Sequence, residues 1–452
     1  MTLGPFASRV AGVFLTRVGR FVISFVTSLL MARLLGPAGR GAFYLATLTP
    51  TMLVALGQFG LPSAISFFAG RGRAAATLER ISYGLAVALS AILLFCALIA
   101  MPWLETTVLK ATAPELVRIA LVSVPFQFLA SFAGATLIGK QRLRNYNLIL
   151  VGQSAVNLAA LAIVVGVLGL GVPGAVVVNV AVASATAIAV AVELRRNAAV
   201  DASALGVRAG ELFGYAARVY PASVTSYFSY RVDVFLLSAL LADAAALGLY
   251  SLAVSLAELT FFVPDAVSLV FFPRVASSER RTADELAPMV SRFTVLVTIL
   301  SVAALVPAGF AAVHLLLPAF TGSLTAFVVI MPGVIALSVA KVLSSYINGL
   351  GLPTPVAVVS TAALVVNVVG NLLLIPRLGI VGAAAASLIS YSAHAAMLVA
   401  ISSRLAGRSP LAYLVPGRSE ADRLVTGVSH ALGRRRGGPD EPAPTPDVGH
   451  QA

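Results

Sequence analysis

Long blocks of apolar residues alternate along this chain with short stretches holding Gly, Pro, Arg and Lys. A helix needs about 20 apolar residues to cross a bilayer. On that rule the pattern predicts twelve spans: Val10–Leu34, Gly41–Phe68, Ile81–Leu104, Glu115–Ile138, Tyr146–Leu168, Gly174–Leu194, Gly214–Leu241, Ala245–Phe272, Ala287–Leu317, Phe320–Ile347, Val356–Ile375 and Val381–Leu405. The stretch from Phe213 to Phe272 stands out among them. It carries Arg231, Asp233, Glu258 and Asp265 inside apolar segments, together with Pro221 and Pro264. Ionisable residues at such positions are costly and mark a protein interior or a hydrated path.

The polar residues within the spans recur at steps of three and four, which collects them on single helix faces. In the seventh span these are Tyr220, Ser223, Tyr227, Tyr230 and Arg231; in the eighth, Ser251, Ser255, Glu258, Phe262 and Asp265. The first span shows Arg17, Arg20, Ser24 and Thr27, and the second Tyr44, Thr47, Thr51 and Gln58, with Pro50 expected to bend it. These four spans are read as cavity walls. The serines also suit a second reading, as hydrogen-bonding glue between helices. Elsewhere Ser338, Lys341, Ser345 and Asn348 share a face, Gln153 and Asn157 another, and Asn367 and Asn371 a third. The asparagines are expected to bond across helices. His394 reads as a satisfied core residue, and Arg118, Arg218 and Arg292 as interfacial anchors. Lys341 fits either a cavity or a side chain snorkelling to the surface.

Composition agrees with the pattern. The 452 residues are 59% hydrophobic and 11% charged, against about 25% charged in soluble domains. The net charge of +13 does not point to nucleic acid here, because the basic residues sit in short loops. One set of loops holds Arg71, Arg73 and Arg80, then Lys140, Arg142 and Arg144, then Arg195, Arg196 and Arg208, then Arg274, Arg280 and Arg281; the alternate set holds only Arg33, Arg40, Lys110 and Arg377. The positive-inside rule therefore puts both termini in the cytoplasm. The single cysteine, Cys96, allows no internal disulfide and no cysteine metal site. No cleavable signal peptide is expected, since the first span is long, holds Arg17 and Arg20, and lacks an A-x-A site after it.

The halves repeat. LLGPAGRGAFYLA at Leu34 answers LLADAAALGLYSLA at Leu240, and Val156-Asn157 followed by GLGVPGA answers Val366-Asn367 followed by GIVGA. A near-constant offset implies duplication, with both six-span halves in one orientation and a substrate site at their interface. The expected fold is an all-α polytopic membrane protein of about twelve transmembrane helices, in two six-helix pseudo-symmetric lobes around a central cavity. The first lobe is residues 1–200, the second 201–405, and 406–452 a partly disordered cytoplasmic tail. In that tail Ser419–Leu432 suits an amphipathic surface helix ahead of Arg434, Arg435 and Arg436.

Nothing in the chain reads as an enzyme. There is no P-loop, HExxH or paired CxxC, and the loops are too short for envelope glycosyltransferases or polymerases. No cofactor and no metal are expected. The chain reads as a secondary transporter.

At this point several segments resemble one family. ARLLGPAGRGAFYLA at Ala32, RVDVFLLSALLADAAALGLYSLAVSLAE at Arg231 followed by FFPRVA, and the stretch from Asn348 through NVVGNLLLIPRLGIVGAAAASLISY are similar to oligosaccharide flippases of the Wzx type. These belong to the multidrug/oligosaccharidyl-lipid/polysaccharide exporter superfamily. The resemblance implies two lobes in a V and alternating access. It also implies a polyprenyl-(pyro)phosphate-linked oligosaccharide as cargo, moved from the inner to the outer leaflet of a bacterial plasma membrane for cell-surface polysaccharide biosynthesis. It makes Arg17, Arg20 and Arg231 candidates for the anionic head group, a chemistry suited to arginine. Ser24, Tyr44, Thr47, Thr51, Tyr220, Tyr227 and Lys341 complete the expected substrate-facing set. Asp233, Glu258 and Asp265 either pair with arginine when cargo is absent or bind a coupling H⁺ or Na⁺; Arg231 and Asp233, two apart, do not face each other. Partners in keeping with such a role are the bilayer, the saccharide lipid, and polymerase and glycosyltransferase machinery, with the chain itself a monomer.

Three other readings stand beside this one. A cation-coupled multidrug exporter of the same superfamily should carry acids in mid-membrane of its first lobe, where this chain has arginines instead. A peptidoglycan lipid II flippase would share the arginines of the first span but is expected to have two more helices. A non-transporting membrane assembly protein needs no aligned intramembrane charges.

Overall fold

The computed structural model describes residues 4–71, 75–198 and 209–415. Among them the chain is helical throughout, with no strand. Nine helices are long and apolar enough to cross a membrane. Two of these contain reversals, and one more crossing is built from two shorter helices, Ala209–Ser229 and Val232–Leu241, so the described chain forms twelve crossings. We number them α1 (4–35), α2 (37–57, resuming over Leu61–Gly70), α3 (Ala75–Thr107), α4 (Pro114–Leu121 with Val124–Gly139), α5 (Leu143–Leu161, ending in a π turn Ala162–Val167), α6 (Gly171–Ala198), α7 (Ala209–Ser229 with Val232–Leu241), α8 (Ala244–Glu258, a 3₁₀ turn Leu259–Phe261, then Phe262–Ala276), α9 (Arg280–Leu316), α10 (Ser323–Gly349), α11 (353–378) and α12 (380–406). Large apolar side chains such as Phe95, Ile99 and Trp103 of α3 and Val358 and Val365 of α11 face outward, as a lipid-facing surface requires. The protein is a multi-pass membrane protein with two six-helix lobes.

Glycine makes the two tightest reversals. Gly36 has φ 64° and Gly379 φ 59°, a region glycine enters without steric penalty. Helical hydrogen bonding continues to both sides, yet Arg40 reaches back to Ser28. Residues that far apart in a straight helix would be about 18 Å apart along its axis. Likewise Ser390 donates to the Ala363 carbonyl, so α11 and α12 form a hairpin.

The lobes meet face to face at the Gly36 end. A Cβ on Gly41 would lie 1.9 Å from the Ala244 carbonyl oxygen, and one on Gly248 would lie 1.8 Å from the Pro37 carbonyl oxygen. Gly41 and Gly248 are 207 residues apart, as are Pro37 and Ala244. The contact is therefore reciprocal, each half offering the same backbone face to the other, as a duplicated pair around a two-fold axis would.

Arg40 reinforces this end. Its sequence position reads as loop, but it is 6% exposed and lies inside α2. Its guanidinium donates to the Ser28 carbonyl (2.5 Å) and hydroxyl (2.9 Å), and across the interface to the Ser251 hydroxyl (2.9 Å) and the Ser255 hydroxyl (3.2 Å). Ser251 and Ser255 thus serve the interface and not a cavity. The α3–α4 loop also crosses over: Ala111 N–H donates to the Ser238 hydroxyl and Lys110 to the Ala239 carbonyl, both at 3.2 Å.

The lobes also touch at the opposite end. Helix α2 is interrupted at Phe59 and Gly60, both at positive φ, and a Cβ on Gly60 would come 2.4 Å from the Ala216 carbonyl oxygen. Tyr220 of α7 donates to the Leu56 carbonyl at 2.8 Å and leans on Phe59, while Tyr215 stacks on Phe67 with ring centroids 4.4 Å apart.

Pro50 and Pro221 do not mark the breaks in helical hydrogen bonding. Helix α2 runs unbroken through Pro50 and α7 through Pro221; the interruptions fall at Phe59-Gly60 and at Tyr230-Arg231. Only Pro264 sits at a break, in the first turn after the 3₁₀ segment of α8, where a missing N–H costs nothing. The beginning of the tail is docked: Tyr413, in the short helix α13 (Leu411–Leu414), is fully buried and its carbonyl accepts from Ser291 at 2.8 Å. The amphipathic segment 419–432 and the arginines after it lie outside the described residues.

Gly248→Ala is expected to lower stability by about 1–3 kcal/mol, because overpacking must separate α2 from α8. Gly152→Ala, where a Cβ meets open space, should leave stability unchanged or raised. Thermal unfolding of the two purified variants checks the contrast.

Candidate functional site

Two ion pairs lie between the ends, both built on the broken helices of the second lobe. Helix α7 stops with turn bonds from Tyr230 and Arg231 N–H to the Tyr227 and Phe228 carbonyls, then restarts at Val232. The break releases Arg231 from the helical array. Its guanidinium reaches Glu258 of α8 at 2.9 Å and donates to the Tyr44 hydroxyl of α2 at 3.0 Å. The side chains of this pair are 26% and 34% exposed, so it is neither dry nor fully solvated. Because Tyr44 belongs to the first lobe, this arginine touches both halves.

One face of α8 then presents Asp265, seven residues after Glu258. Its carboxylate lies 2.6 Å from the Lys341 ammonium of α10. The same ammonium sits 4.3 Å from the Phe261 ring centre and 5.8 Å from that of Tyr230, within cation–π range. Lys341 is therefore turned toward α8, and the snorkelling reading of this residue does not hold.

Asp233 is separate from both pairs. It is buried, 5% exposed. Its carboxylate accepts the Tyr250 hydroxyl and, at 2.9 Å, the N–H of Val234. The tyrosine, on α8 across the α7–α8 hairpin, is the partner that sequence did not name. On α11 the asparagines bond along their own helix and not across helices: the Asn371 amide donates to the Asn367 carbonyl at 2.8 Å and side-chain oxygen at 3.0 Å. Asn367 Nδ2 and Asn371 Oδ1 are buried without a hydrogen-bond partner among the described residues, an uncommon state for polar atoms.

The first lobe is different in kind. The side chain of Arg17 lies outside the described residues. Arg20 and Ser24 are exposed on α1, and Arg20 is within electrostatic reach of Tyr146. Thr47 and Thr51 donate to carbonyls of their own helix turn, a common habit of helical threonine. Tyr220 is engaged by the Leu56 carbonyl at the lobe contact. Tyr227, Thr51 and Gln58 line a cavity of about 400 Å³ with Gln127, Ser131, Tyr146, Gln153 and Thr186. A second cavity of about 550 Å³ shares Ser131 and Tyr146 and adds Ser63 and Ser66. The structure thus brings Arg231, Tyr44, Glu258, Lys341 and Asp265 together on one side and Thr51 and Tyr227 on another. Gln127, Ser131 and Thr186 were missed by sequence reading; the Gln127–Ser131 step of four after Pro125 was the available signal. His394 contacts the Ser360 hydroxyl at 3.5 Å. Arg118 pairs with Glu105 at 2.8 Å on the exposed surface.

Comparison with known proteins follows from this geometry. No curated protein matches the chain. Among solved structures, the chain is similar to the lipid II flippase MurJ in an inward closed conformation, with a TM-score of 0.71 at 12% identity over 93% of this chain and 92% of that one. It is similar to an outward-facing multidrug resistance MATE family transporter of the MOP superfamily, with a TM-score of 0.63 at 17% identity, covering 88% and 95%. It also resembles a MOP superfamily transporter from Pyrococcus furiosus, with a TM-score of 0.58 at 16% identity, covering 88% and 94%. These likenesses establish the fold of MOP-superfamily transporters and flippases. The family model described as polysaccharide biosynthesis protein matches residues 10–279, more than half of the sequence, and the chain belongs to that family.

Proposed function

We propose that this protein is a secondary transporter that flips a polyprenyl-(pyro)phosphate-linked oligosaccharide from the inner to the outer leaflet of a bacterial plasma membrane by alternating access. The observation that carries this reading is the state of its intramembrane cations. Arg231 and Lys341 are each held by a carboxylate that is itself partly exposed. Such a pair keeps the cation neutralised when the site is empty and releases it when a stronger anion arrives. A pyrophosphate carries more charge than a single carboxylate and accepts arginine bidentately. At about 4 Å and an effective dielectric near 20 each added unit charge is worth about 4 kcal/mol, enough to displace Glu258 from Arg231.

The polyprenyl tail would stay in lipid and pass between the lobes, so that only the head group needs a polar path. Arg17 and Arg20, midway along α1, suit capture of the phosphate. In the orientation that the basic loops imply, the Phe59–Tyr220 contact closes the cytoplasmic end, and the Gly41–Gly248 contact with Arg40 closes the outer end. Arg231 bonds groups from both lobes, so its rearrangement on binding would favour their movement. Asp233 with Tyr250, a buried acid held by a hydroxyl, suits a coupling site for H⁺ or Na⁺. A cationic-drug exporter is less well supported, because Glu258 and Asp265 are occupied by bases and, among the described residues, no carboxylate lines the first-lobe cavities.

In proteoliposomes loaded with a polyprenyl-pyrophosphate-linked glycan, access of the glycan to an external sugar-modifying reagent reports flipping. Wild-type protein should show it, and Arg231→Gln should slow it at least about tenfold, the equivalent of about 1.4 kcal/mol. Efflux of a cationic dye without glycan movement would reverse the reading toward drug export, and neither activity would favour a non-transporting assembly role. Glu258→Gln removes one partner of the pair and should lower stability by about 1–2 kcal/mol, between the exposed and buried extremes. Adding Arg231→Gln should recover part of that loss in the same thermal unfolding assay.

A further inference from the structure

The two lobes carry opposite chemistry at matched positions. The reciprocal Gly41–Gly248 contact fixes the offset at 207 residues. On that offset Glu258 corresponds to Thr51, Asp265 to Gln58 and Arg231 to Ser24. These three charged residues are thus matched by neutral hydroxyls or an amide in the first lobe, while Lys341 falls opposite Gly134, and Thr51 and Gln58 both line the first-lobe cavity of about 400 Å³.

That cavity is built of groups suited to a neutral polyol. Gln58 of α2, Gln127 of α4 and Gln153 of α5 bring three amides from three helices to one space. Each amide offers two donors and an acceptor. Gln127 is fixed by a 2.8 Å bond to the Ser123 hydroxyl. Gln58 and Gln153 make no side-chain hydrogen bond among the described residues, and both line the cavity. Gln58 lies at the interruption of α2, one residue past the helix end at Gly57. Tyr146 and Tyr227 supply ring faces on the same walls. Among the described residues no carboxylate, lysine or arginine lines the cavity, so its walls offer hydrogen bonds and no direct ion pair.

Position relates this cavity to the charged site. Tyr227 precedes Arg231 by four residues and lies within electrostatic reach of its guanidinium. A saccharide joined to a phosphate at Arg231 would therefore begin beside the cavity wall. The volume falls within the usual range for small-ligand sites, about 300–1,000 Å³, and the adjoining cavity at Ser131 and Tyr146 gives room for further sugar units.

We infer that the first-lobe cavity around Gln58, Gln127 and Gln153 is a subsite for the neutral saccharide portion of the cargo, while the second lobe holds its phosphate. This rests on the flippase reading above. The test measures binding to full-length protein in nanodiscs, using polyprenyl pyrophosphate alone and the same lipid bearing a neutral disaccharide with N-acetylglucosamine at its reducing end. Wild-type protein is expected to bind the glycosylated lipid about tenfold tighter than the bare one, the gain of two hydrogen-bonding amides. Gln58→Leu/Gln153→Leu should abolish that difference and leave bare-lipid binding unchanged, so the bare lipid doubles as a folding control. Gln153→Ala carries the same contrast if the double variant does not fold. Equal wild-type binding of both lipids, or an undiminished preference in variants that still bind the bare lipid, overturns the subsite alone. A wild type that binds neither lipid overturns the flippase reading and the subsite with it.

Discussion

A charge inside a membrane protein has to be met by water or by an opposite charge, and the second lobe is arranged around meeting that demand twice. Arg231 is answered by Glu258 and Lys341 by Asp265, with both acids on one face of α8. Both pairs lie beside irregular turns of the second lobe. The break in α7 frees Arg231 to reach across, and the 3₁₀ turn of α8 separates the two acids so that each meets a different helix. Partial exposure is equally part of the design, since a fully buried pair would be too costly to part.

The contact between lobes depends on a second constraint, the absence of side chains. Gly41 and Gly248 let α2 and α8 approach until each backbone touches a carbonyl of the other. Arg40 then ties the two halves through neutral oxygens only, on Ser28, Ser251 and Ser255. Hydrogen bonds to neutral acceptors hold a guanidinium in place without the strength of a buried carboxylate pair. Opening this end requires the loss of the Ser251 and Ser255 bonds, whereas those to Ser28 stay within the α1–α2 hairpin and can travel with the first lobe.

Much of this was legible in the sequence. The twelve spans, the duplication and the intramembrane charges follow from hydropathy and spacing, which are local properties. What was not legible depends on chain reversal. Arg40 sits in the Gly- and Pro-rich segment LLGPAGR, which reads as loop; only the hairpin at Gly36 and the opposing lobe bury it. Asp233 had no visible partner because Tyr250 comes to it across the α7–α8 hairpin. Of the prolines in these spans, Pro264 lies beside a break while Pro50 and Pro221 lie within continuous helix, so proline positions alone did not locate the interruptions. The neutral first-lobe cavity was half visible: Gln58 and Gln153 were on polar faces, but nothing in one dimension shows that three glutamines from three helices converge.

The claim on which the rest stands is that displacement of carboxylates by a lipid phosphate drives the two lobes apart at the Gly41–Gly248 contact. Spin labels at Ala38→Cys and Leu240→Cys, both exposed beside that contact, in a Cys96→Ser background would report the separation directly by pulsed electron resonance. The distance should be short in the empty protein and lengthen when a polyprenyl-pyrophosphate-linked saccharide is added, with no change in Arg231→Gln. A distance that stays short in wild-type protein saturated with that lipid would contradict the claim.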